Sequence, residues 1–281
     1  MLLYQILFIN QCRFRIDREK NESYNTDIPK QEAQDMEQFV RTEMLIGAEG
    51  LARLHRARIA VFGLGGVGGY VVEALARSGV GALDLVDNDR VALSNINRQI
   101  LALHSTVGKT KVEAAAARVR DINPDITVRQ IQSFYLPETG AQFDFTDYDY
   151  VVDCIDTVTA KLDLVLRCKA VGTPIISALG TGNKLDPSQL ELTDLANTSV
   201  CPLARIMRKE LRRRGVEHLK VVYSKETPIQ PRFTPAPEQG PDEGPEAYGN
   251  KRRSIPGSSA FVPPAAGLLI ASALVRDLLK E

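Results

Sequence analysis

The chain has 281 residues, 44% of them hydrophobic, and its 35 Lys and Arg residues balance 35 Asp and Glu residues. A chain of this length can bury one large core without disulfides or a structural metal. Because the formal net charge is zero, a polyanionic partner must be recognised by a local cluster of cations and not by the field of the whole protein.

The four cysteines argue against two kinds of site. Cys12, Cys154, Cys168 and Cys201 stand far apart and form no CxxC pair. Their spacing therefore indicates neither a disulfide framework nor a zinc site. Together with the balanced composition, this favours a soluble cytoplasmic enzyme.

The first 35 residues differ in character from the rest of the chain. A short apolar start, Leu2 to Ile9, precedes a polar and charge-dense run from Arg13 to Gln34. The apolar piece is shorter than a membrane span and no small-residue cleavage pattern follows it. We therefore expect neither a signal peptide nor a membrane anchor.

From Glu37 the sequence predicts an amphipathic helix that leads into the first strand, Arg58 to Phe62. The apolar face of this helix is expected to hold Phe39, Met44, Leu45, Leu51 and Leu54.

A glycine-rich turn follows the first strand. Gly63, Gly65 and Gly68 have GxGxxG spacing, with one glycine for the tight turn, one for the approach of a phosphate and one for close packing of helix on strand. Asp87 follows the next strand, roughly twenty residues further on, where a carboxylate can accept the ribose hydroxyls. This order of strand, glycine turn, helix, strand and acid predicts a nucleotide site.

Two cations follow the predicted nucleotide site, Arg98 and Lys111. A dinucleotide enzyme holds its pyrophosphate largely with backbone N–H groups. A triphosphate attacked at its α-phosphorus needs fixed cations, because charge develops on the phosphoryl oxygens. Either residue alone could be an ordinary surface cation, but the pair favours triphosphate chemistry.

Strands and helices can also be predicted for the second half of the core. Ile126 to Ile131 is a predicted strand, and Tyr150 to Val152 is a short strand that ends at Asp153 and Asp156. Carboxylates at the carboxyl ends of strands lie where open α/β sheets bind ligands, although either could instead cap a helix. Further predicted elements are a helix over 162–171, a strand over 174–179, strands over 190–194 and 220–223 around a helix over 202–214, and a buried C-terminal helix over 264–279.

Together these segments resemble the ubiquitin-activating-enzyme-like superfamily of ThiF, MoeB and HesA proteins. The resemblance runs from about Arg41 to Asp156. It implies an α/β, Rossmann-like adenylating fold with a mixed, mostly parallel sheet and helices on both faces. Since it starts near Met36, residues 1–35 are expected to be a disordered N-terminal extension, or to reflect an upstream start, and residues 36–281 to be a single ThiF-type adenylation domain.

The resemblance also implies a set of site residues. Asp87 is expected on the ribose, Asn95, Arg98 and Lys111 around the phosphates, and Asp156 as the acid that helps to hold Mg²⁺. The full expected ATP set is Gly63, Gly65, Gly66, Gly68, Asp87, Asp89, Asn95, Arg98 and Lys111. Arg41 matches the arginine that in this superfamily reaches into the neighbouring subunit's ATP site, so a homodimer is the expected active form, with Arg41, Arg98, Lys111 and Asp156 as catalytic residues.

The substrate-side region, residues 183–260, resembles the tRNA threonylcarbamoyladenosine dehydratase branch. Its stretch 230–257 is rich in proline, glycine and charge and is expected to be a mobile loop. Four cations at i, i+3, i+4 and i+7 share one face of the predicted helix over 202–214: Arg205, Arg208, Lys209 and Arg212. That face is a candidate contact to the tRNA backbone, or else a solvated face with Ile206, Met207 and Leu211 turned inward.

The implied reaction uses ATP to adenylate the threonyl carboxylate of the modified adenosine in the anticodon loop. The neighbouring carbamoyl group then closes a ring with loss of AMP, so the net change is dehydration. Because this second nucleophile is tethered to the substrate, no enzyme thiolate is required. Cys201 is the thiol nearest the position used by thioester-forming relatives, and its role stays open.

Two alternatives share the same nucleotide residues. The first is adenylation of the C-terminus of a ubiquitin-like sulfur-carrier protein, which the missing CxxC pairs and the arginine-rich helix disfavour. The second is a non-catalytic nucleotide-binding module, which the intact set of Asp87, Arg98, Lys111 and Asp156 disfavours. The expected partners are tRNA and a second copy of the chain, without DNA or membrane. The sequence identifies no sulfur-relay partner.

Overall fold

The computed structural model describes residues 37–233 and 256–280. The described residues from Thr42 onward form one compact unit, whereas 37–41 belong to a separate one. The expected extension over 1–35 and most of the expected loop over 230–257 lie outside the described residues. Those two expectations, and the domain boundary near Met36, stay predictions.

The described residues form a seven-stranded sheet in the order β3-β2-β1-β4-β5-β7-β6. All neighbouring strands are parallel except β6, which is antiparallel to β7. The strands are β1 Arg58–Phe62, β2 Ala82–Val86, β3 Thr127–Ile131, β4 Tyr150–Asp153, β5 Ile175–Ala178, β6 Leu190–Asp194 and β7 Lys220–Ser224. The sheet is thus mixed and mostly parallel, which confirms the predicted fold class. Its chain order reverses between β1 and β4, and ligands bind at such a switch point.

Helices cover both faces of the sheet. They are α1 Val40–Arg56, α2 Gly68–Arg77, α3 Lys111–Ile122, α4 Val158–Val171, α5 Pro202–Arg212 and α6 Val262–Leu278. Alternate residues of β1 point to opposite faces, so Ile59 and Val61 join the core beneath α2, α3 and α6, while Ala60 and Phe62 join the core beneath α4 and α5. Strands β1, β2, β4, β5 and β7 are therefore almost entirely buried, as the inner strands of a mostly parallel sheet require, whereas the outer strands β3 and β6 are partly exposed.

Helix α1 differs from its prediction. It begins at Val40 and is bent at Gly47, whose φ of 74° is not helical. Leu51 and Leu54 are buried beyond the bend, but Met44 and Leu45 are 81% and 88% exposed. The prediction of a single apolar face was wrong because the bend interrupts the helical phase on which that face depends.

Helix α6 begins two residues before the predicted start, with two prolines in its first turn, where no backbone N–H is needed. Its buried stripe packs against the central strands, including Ala266, Ile270 and Leu274. Within residues 37–233 and 256–280, no helix is both long enough and apolar enough to cross a bilayer.

Candidate nucleotide site

The glycine loop between β1 and α2 is shaped by two close approaches. A Cβ on Gly63, which has φ +88°, would lie 2.7 Å from the Cys154 carbonyl oxygen, and one on Gly68 would lie 1.8 Å from the Gly63 carbonyl oxygen. Gly65 differs, because the nearest atom to its Cβ position is Gln99 Nε2 at 3.9 Å. Gly63 and Gly68 thus serve the turn and its packing, while Gly65 leaves space above the loop for a ligand.

The start of α2 points at the same space. Its N-cap is Val67, which offers no side-chain hydrogen bond, and its first turn contains no acidic residue. The Gly69 and Tyr70 N–H groups donate to Gly65 O at 3.1 Å and to Val67 O at 3.0 Å, and the aligned peptide dipoles give the start of the helix a partial positive charge. An anion such as a phosphate is the natural partner for this charge.

Asp87 is fixed against the glycine loop. It follows β2 directly, and its Oδ2 accepts from the Leu64 N–H at 2.6 Å while its Oδ1 accepts from the Asp89 N–H at 2.8 Å. Burial raises the pKa of Asp87, and the Lys111 charge and these two hydrogen bonds oppose that shift. The carboxylate is therefore held at the strand tip, and its role on the ribose stays a prediction.

Lys111 completes a charged cluster with two carboxylates. As the first residue of α3, it donates its backbone N–H to the Asp89 carbonyl at 2.9 Å. Its Nζ lies 2.6 Å from Asp89 Oδ2 and 3.7 Å from Asp87 Oδ1, and its side chain is 6% exposed. The structure thus brings Asp87, Asp89 and Lys111 together at the carboxyl edge of the sheet.

The loop between β2 and α3 places Arg98 beside the glycines. Its Cγ lies 3.5 Å from the Cβ position of Gly66. Its Nη1 donates to Ser94 O and to Asn97 Oδ1, both at 2.9 Å. Asn95 shapes the same loop, since its Oδ1 accepts from the Ala92 N–H at 3.1 Å.

Gln99 is a candidate site residue that the sequence analysis does not name. The side chain is 6% exposed, and its Oε1 is buried without a hydrogen-bond partner among the described residues. Buried acceptors are nearly always satisfied, and the Nε2 of the same carboxamide is the atom nearest to the Cβ position of Gly65, so the unpaired Oε1 indicates that a ligand or water belongs near this carboxamide. The signal in the sequence was its position directly after Arg98.

The two carboxylates after β4 have different environments. Asp153 is fully buried, and Lys161 Nζ, also fully buried, donates to its two oxygens at 2.9 and 3.0 Å. Asp156 is exposed and accepts from Thr157 Oγ1 at 3.3 Å. Neither caps α4, whose N-cap is Thr157. Asp153 is therefore a structural ion-pair partner, and only Asp156 can reach a ligand.

The acidic residues show what kind of metal site is possible here. The described part of the chain contains no group of three or more His, Cys, Asp or Glu residues that could hold an ion by itself. Mg²⁺ is usually held by one or two carboxylates together with substrate phosphates and water. Asp156 is a single exposed carboxylate two residues after Cys154, whose carbonyl oxygen meets the glycine loop at Gly63, and one such carboxylate is enough for that pattern.

The thiols of the described residues are poorly placed for attack. Burial raises the pKa of Cys154 and of Cys168 to about 12, so both are protonated at neutral pH. Cys201 is 3% exposed, and its Sγ accepts from the Ala204 N–H at 3.4 Å as the N-cap of α5. Reactive cysteines are accessible, and Cys201 is a buried helix cap.

Helix α5 presents three of its four predicted cations to solvent. Arg205, Lys209 and Arg212 are exposed, while Arg208 is half-buried and donates from Nη1 to Thr198 O at 2.8 Å and Thr198 Oγ1 at 2.6 Å. The four residues and Arg213 line a surface cavity of about 410 Å³. Arg208 thus anchors the segment before the helix.

The apolar side of α5 also needs one correction. Met207 and Leu211 are fully buried, as predicted, but Ile206 is 45% exposed. The buried stripe runs through Ala204, Met207 and Leu211 at i, i+3 and i+7, and Ile206 lies about 100° away from it around the helix.

This geometry agrees with a comparison of the sequence against known families, in which residues 39–280 match the ThiF family. The chain belongs to the ThiF family. The superfamily and the fold predicted from the glycine loop and its downstream residues are thereby confirmed.

Three relatives of this ThiF-family chain are informative. A Bacillus subtilis protein named tRNA threonylcarbamoyladenosine dehydratase is 43% identical over 88% of this chain and 96% of its own length. The crystal structure of Escherichia coli tRNA N6-threonylcarbamoyladenosine dehydratase in complex with ATP is similar with a TM-score of 0.76 and 32% identity, over 90% of this chain and 97% of that one. A Vanderwaltozyma polyspora protein named adenylyltransferase and sulfurtransferase UBA4 is 32% identical over 68% of this chain and 42% of its own length.

Proposed function

We propose that the protein is an ATP-dependent tRNA threonylcarbamoyladenosine dehydratase that acts through an acyl-adenylate. The observation that carries this proposal is the similarity to the Bacillus subtilis dehydratase along 96% of that protein's length. The adenylation core is common to the family, so similarity that continues through the substrate-side region is what singles out a substrate. A tRNA substrate also implies a cytoplasmic protein.

In the first step, a carboxylate oxygen of the threonyl group attacks the α-phosphorus of ATP and pyrophosphate leaves. Negative charge develops on the phosphoryl oxygens, and fixed positive groups stabilise it. The groups available are the N-terminus of α2, the Arg98 guanidinium beside Gly66 and the Lys111 ammonium. Asp87 takes the ribose hydroxyls, and Asn95 shapes the loop that carries Arg98.

Mg²⁺ is the metal that this donor set suits. Asp156 would hold it together with phosphate oxygens, and the ion would offset charge on the triphosphate. The exposure of Asp156, in contrast to buried Asp153, supports this choice between the two strand-end carboxylates.

In the second step, the carbamoyl group attacks the activated carbonyl, AMP leaves and a ring closes, so the substrate loses one water in total. The attacking group is already tethered to the carbonyl, which makes the step intramolecular and fast without a protein nucleophile. The burial of Cys168 and Cys201 and the raised pKa of the partly buried Cys154 are consistent with this mechanism.

The tRNA backbone is proposed to lie along α5. Arg205, Lys209 and Arg212 supply exposed cations on one face, and phosphate binding needs such clusters. Arg208 belongs to the same face but acts there mainly by holding Thr198. The zero net charge of the chain makes such a local patch necessary.

The active form is proposed to be a homodimer in which Arg41 serves the partner's ATP site. Arg41 is exposed in the first turn of α1. Exposed apolar residues such as Met44 and Leu45 are typical of a surface covered by another chain. To test this, Arg41→Ala and Asp156→Ala chains are mixed; hybrid dimers should recover part of the activity that each variant lacks, and verified hybrids without recovery would refute a shared site.

The function is tested by measuring AMP formation from ATP with the purified protein and Mg²⁺. We expect AMP to form with tRNA that carries threonylcarbamoyladenosine, and not with the same tRNA that lacks the modification. If a ubiquitin-like sulfur-carrier protein supported turnover of ATP and the modified tRNA did not, the sulfur-carrier alternative would replace the dehydratase.

A further inference from the structure

Asn183 joins three separate segments of the chain. Its N–H donates to Gly257 O at 2.7 Å, its carbonyl accepts from the Ile229 N–H at 2.8 Å, and its Oδ1 accepts from the Gly257 N–H at 2.6 Å. The residue has φ 58°, a left-handed conformation that asparagine tolerates better than most residues. All three bonds act at one point in the loop that follows β5.

The hydrogen bonds of Asn183 hold residues 256–261 in position. We call these residues, which lead into α6, the return segment. Two further contacts hold this segment to the same loop. Ser259 Oγ donates to Lys184 O at 3.2 Å, and the Cβ of Pro256 lies 3.0 Å from the Cβ position of Gly182. The return segment is thus held against the loop after β5 at residues 256, 257 and 259.

The return segment in turn contacts the loop that carries Arg98. Asn97 Nδ2 donates to Ser258 O at 3.0 Å, and Asn97 Oδ1 accepts from Arg98 Nη1 at 2.9 Å. Both groups of the Asn97 carboxamide are therefore hydrogen-bonded. The orientation of the amide is fixed, because the Ser258 carbonyl requires the Nδ2 donor and the Arg98 guanidinium requires the Oδ1 acceptor.

We propose that Asn97 and Asn183 are positioning residues for Arg98. Asn183 locates the return segment, the Ser258 carbonyl anchors the Asn97 carboxamide, and Asn97 orients the guanidinium beside the glycine loop. An arginine side chain loses substantial rotamer freedom when it is ordered, so orienting it in advance strengthens its contact with a phosphate. The inference rests on the proposed function only for the identity of the ligand, ATP.

The test is a double-mutant cycle on ATP binding, measured by calorimetry on the full chain without tRNA. Asn183→Gly keeps the left-handed backbone and removes Oδ1, and Asn97→Ala removes both carboxamide bonds. Each should raise the ATP dissociation constant about five- to tenfold, the effect of losing one hydrogen bond to a charged or positioning group. Because the two residues act in series, the double variant should bind no more weakly than Asn97→Ala alone.

Hydrogen exchange supplies a readout that does not depend on ATP. Asn183→Gly should lose protection at residues 256–261, because the Gly257 N–H no longer has its acceptor, whereas Asn97→Ala should keep that protection. Asn183→Asp retains an acceptor at the same place and should restore both protection and ATP affinity. Asn197→Ala, an exposed asparagine in the same region, is the matched control and should leave both unchanged.

Three outcomes would overturn the proposal. They are wild-type ATP affinity in Asn183→Gly, increases in the ATP dissociation constant that multiply in the double variant, and a failure of Asn183→Asp to restore ATP affinity and exchange protection. Thermal unfolding of each variant identifies any that fails to fold, and the rescue comparison between the Gly and Asp variants is then made on folded protein. None of these readouts uses tRNA. A failure of the dehydratase assay therefore leaves this inference intact, and its failure leaves the dehydratase assay unaffected.

Discussion

The parallel strands of the sheet begin at one edge, the amino edge, and end at the opposite one, the carboxyl edge. Both edges carry clusters of charged residues, but the side chains of the two clusters differ in how completely they are paired. At the amino edge, Asp277 accepts hydrogen bonds from Tyr150 at 2.9 Å, from Lys280 at 2.8 Å and from Lys220. Nearby, Arg58 pairs with Asp84 at 2.9 Å. These groups largely pair with one another and support the fold, although Arg58 Nε is buried without a hydrogen-bond partner among the described residues.

At the carboxyl edge, several polar groups remain available to a ligand. Asp156 is exposed, Gln99 Oε1 has no hydrogen-bond partner within the described chain, and the first turn of α2 lacks a side-chain cap. We therefore expect substitutions at the amino edge to affect mainly stability and substitutions at the carboxyl edge to affect mainly catalysis. The buried Asp153–Lys161 pair is the exception, since it lies at the carboxyl edge and belongs to the structure.

The largest expected effect concerns that exception. Asp153→Ala leaves Lys161 fully buried without its counter-ion and should lower the free energy of unfolding by about 3–5 kcal/mol. Urea denaturation measures this, with Asp156→Ala as the matched control three residues away. Equal stability of the two variants would mean that Asp153 is not the structural member of the pair.

The second effect is on catalysis. Asp156→Ala should lower the rate of AMP formation on the order of 100-fold or more. The variant lacks the carboxylate that would hold Mg²⁺, so the negative charge of the triphosphate is no longer offset by the ion. The thermal unfolding midpoint should stay near that of wild type, since the side chain is exposed. A folded variant with wild-type turnover would remove Asp156 from the site.

The third effect tests the amino edge. Burial alone would raise the pKa of Asp277, but hydrogen bonds from Lys220, Lys280 and Tyr150 together lower it to about 2. An acid with a lowered pKa contributes stability above its unfolded pKa of about 3.9, and that stability is lost as pH falls through the folded pKa. Asp277→Asn should therefore cost about 1–2 kcal/mol at pH 7, and the difference from wild type should shrink between about pH 4 and pH 2.

AMP formation per folded molecule should survive in Asp277→Asn, in contrast to Asp156→Ala. If the amino-edge variant lost turnover at pH 7 while still folded, the separation of stability and chemistry between the two edges would be wrong.

The smallest effect concerns tRNA. Replacing Arg205 and Arg212 by alanine should weaken tRNA binding and flatten its dependence on log salt by about 1.8 units at most, since two phosphate contacts would be lost. Arg214 pairs with Glu210 at 2.7 Å and is not among the residues that line the α5 cavity, so Arg214→Ala should change the slope less than Arg205→Ala or Arg212→Ala alone. Equal slopes for these single variants would make the α5 face an ordinary solvated surface.

The sequence predicted the features that depend on local order. The glycine loop, the acid after β2 and the cations at Arg98 and Lys111 follow one another along the chain, and the parallel topology brings them to one edge. The sheet, most helix boundaries within a few residues and the family were predicted correctly on this basis.

The features that the sequence did not reveal depend on distant contacts or on backbone bends. The bond between Asn183 and Gly257 joins residues 74 positions apart, and nothing in either segment predicts the other. Asp153 and Asp156 are alike in sequence, and only the buried Lys161 distinguishes them. The bend at Gly47 similarly turned Met44 and Leu45 outward although their apolar character predicted burial.

The most direct test of the account is the mass of the tRNA nucleosides after incubation of modified tRNA with ATP, Mg²⁺ and the purified protein. We predict that threonylcarbamoyladenosine is converted to a nucleoside lighter by one water, with one AMP formed for each conversion, and that Asp156→Ala protein leaves it unchanged. An unaltered nucleoside in the presence of active, ATP-consuming wild-type protein would contradict the proposed dehydration.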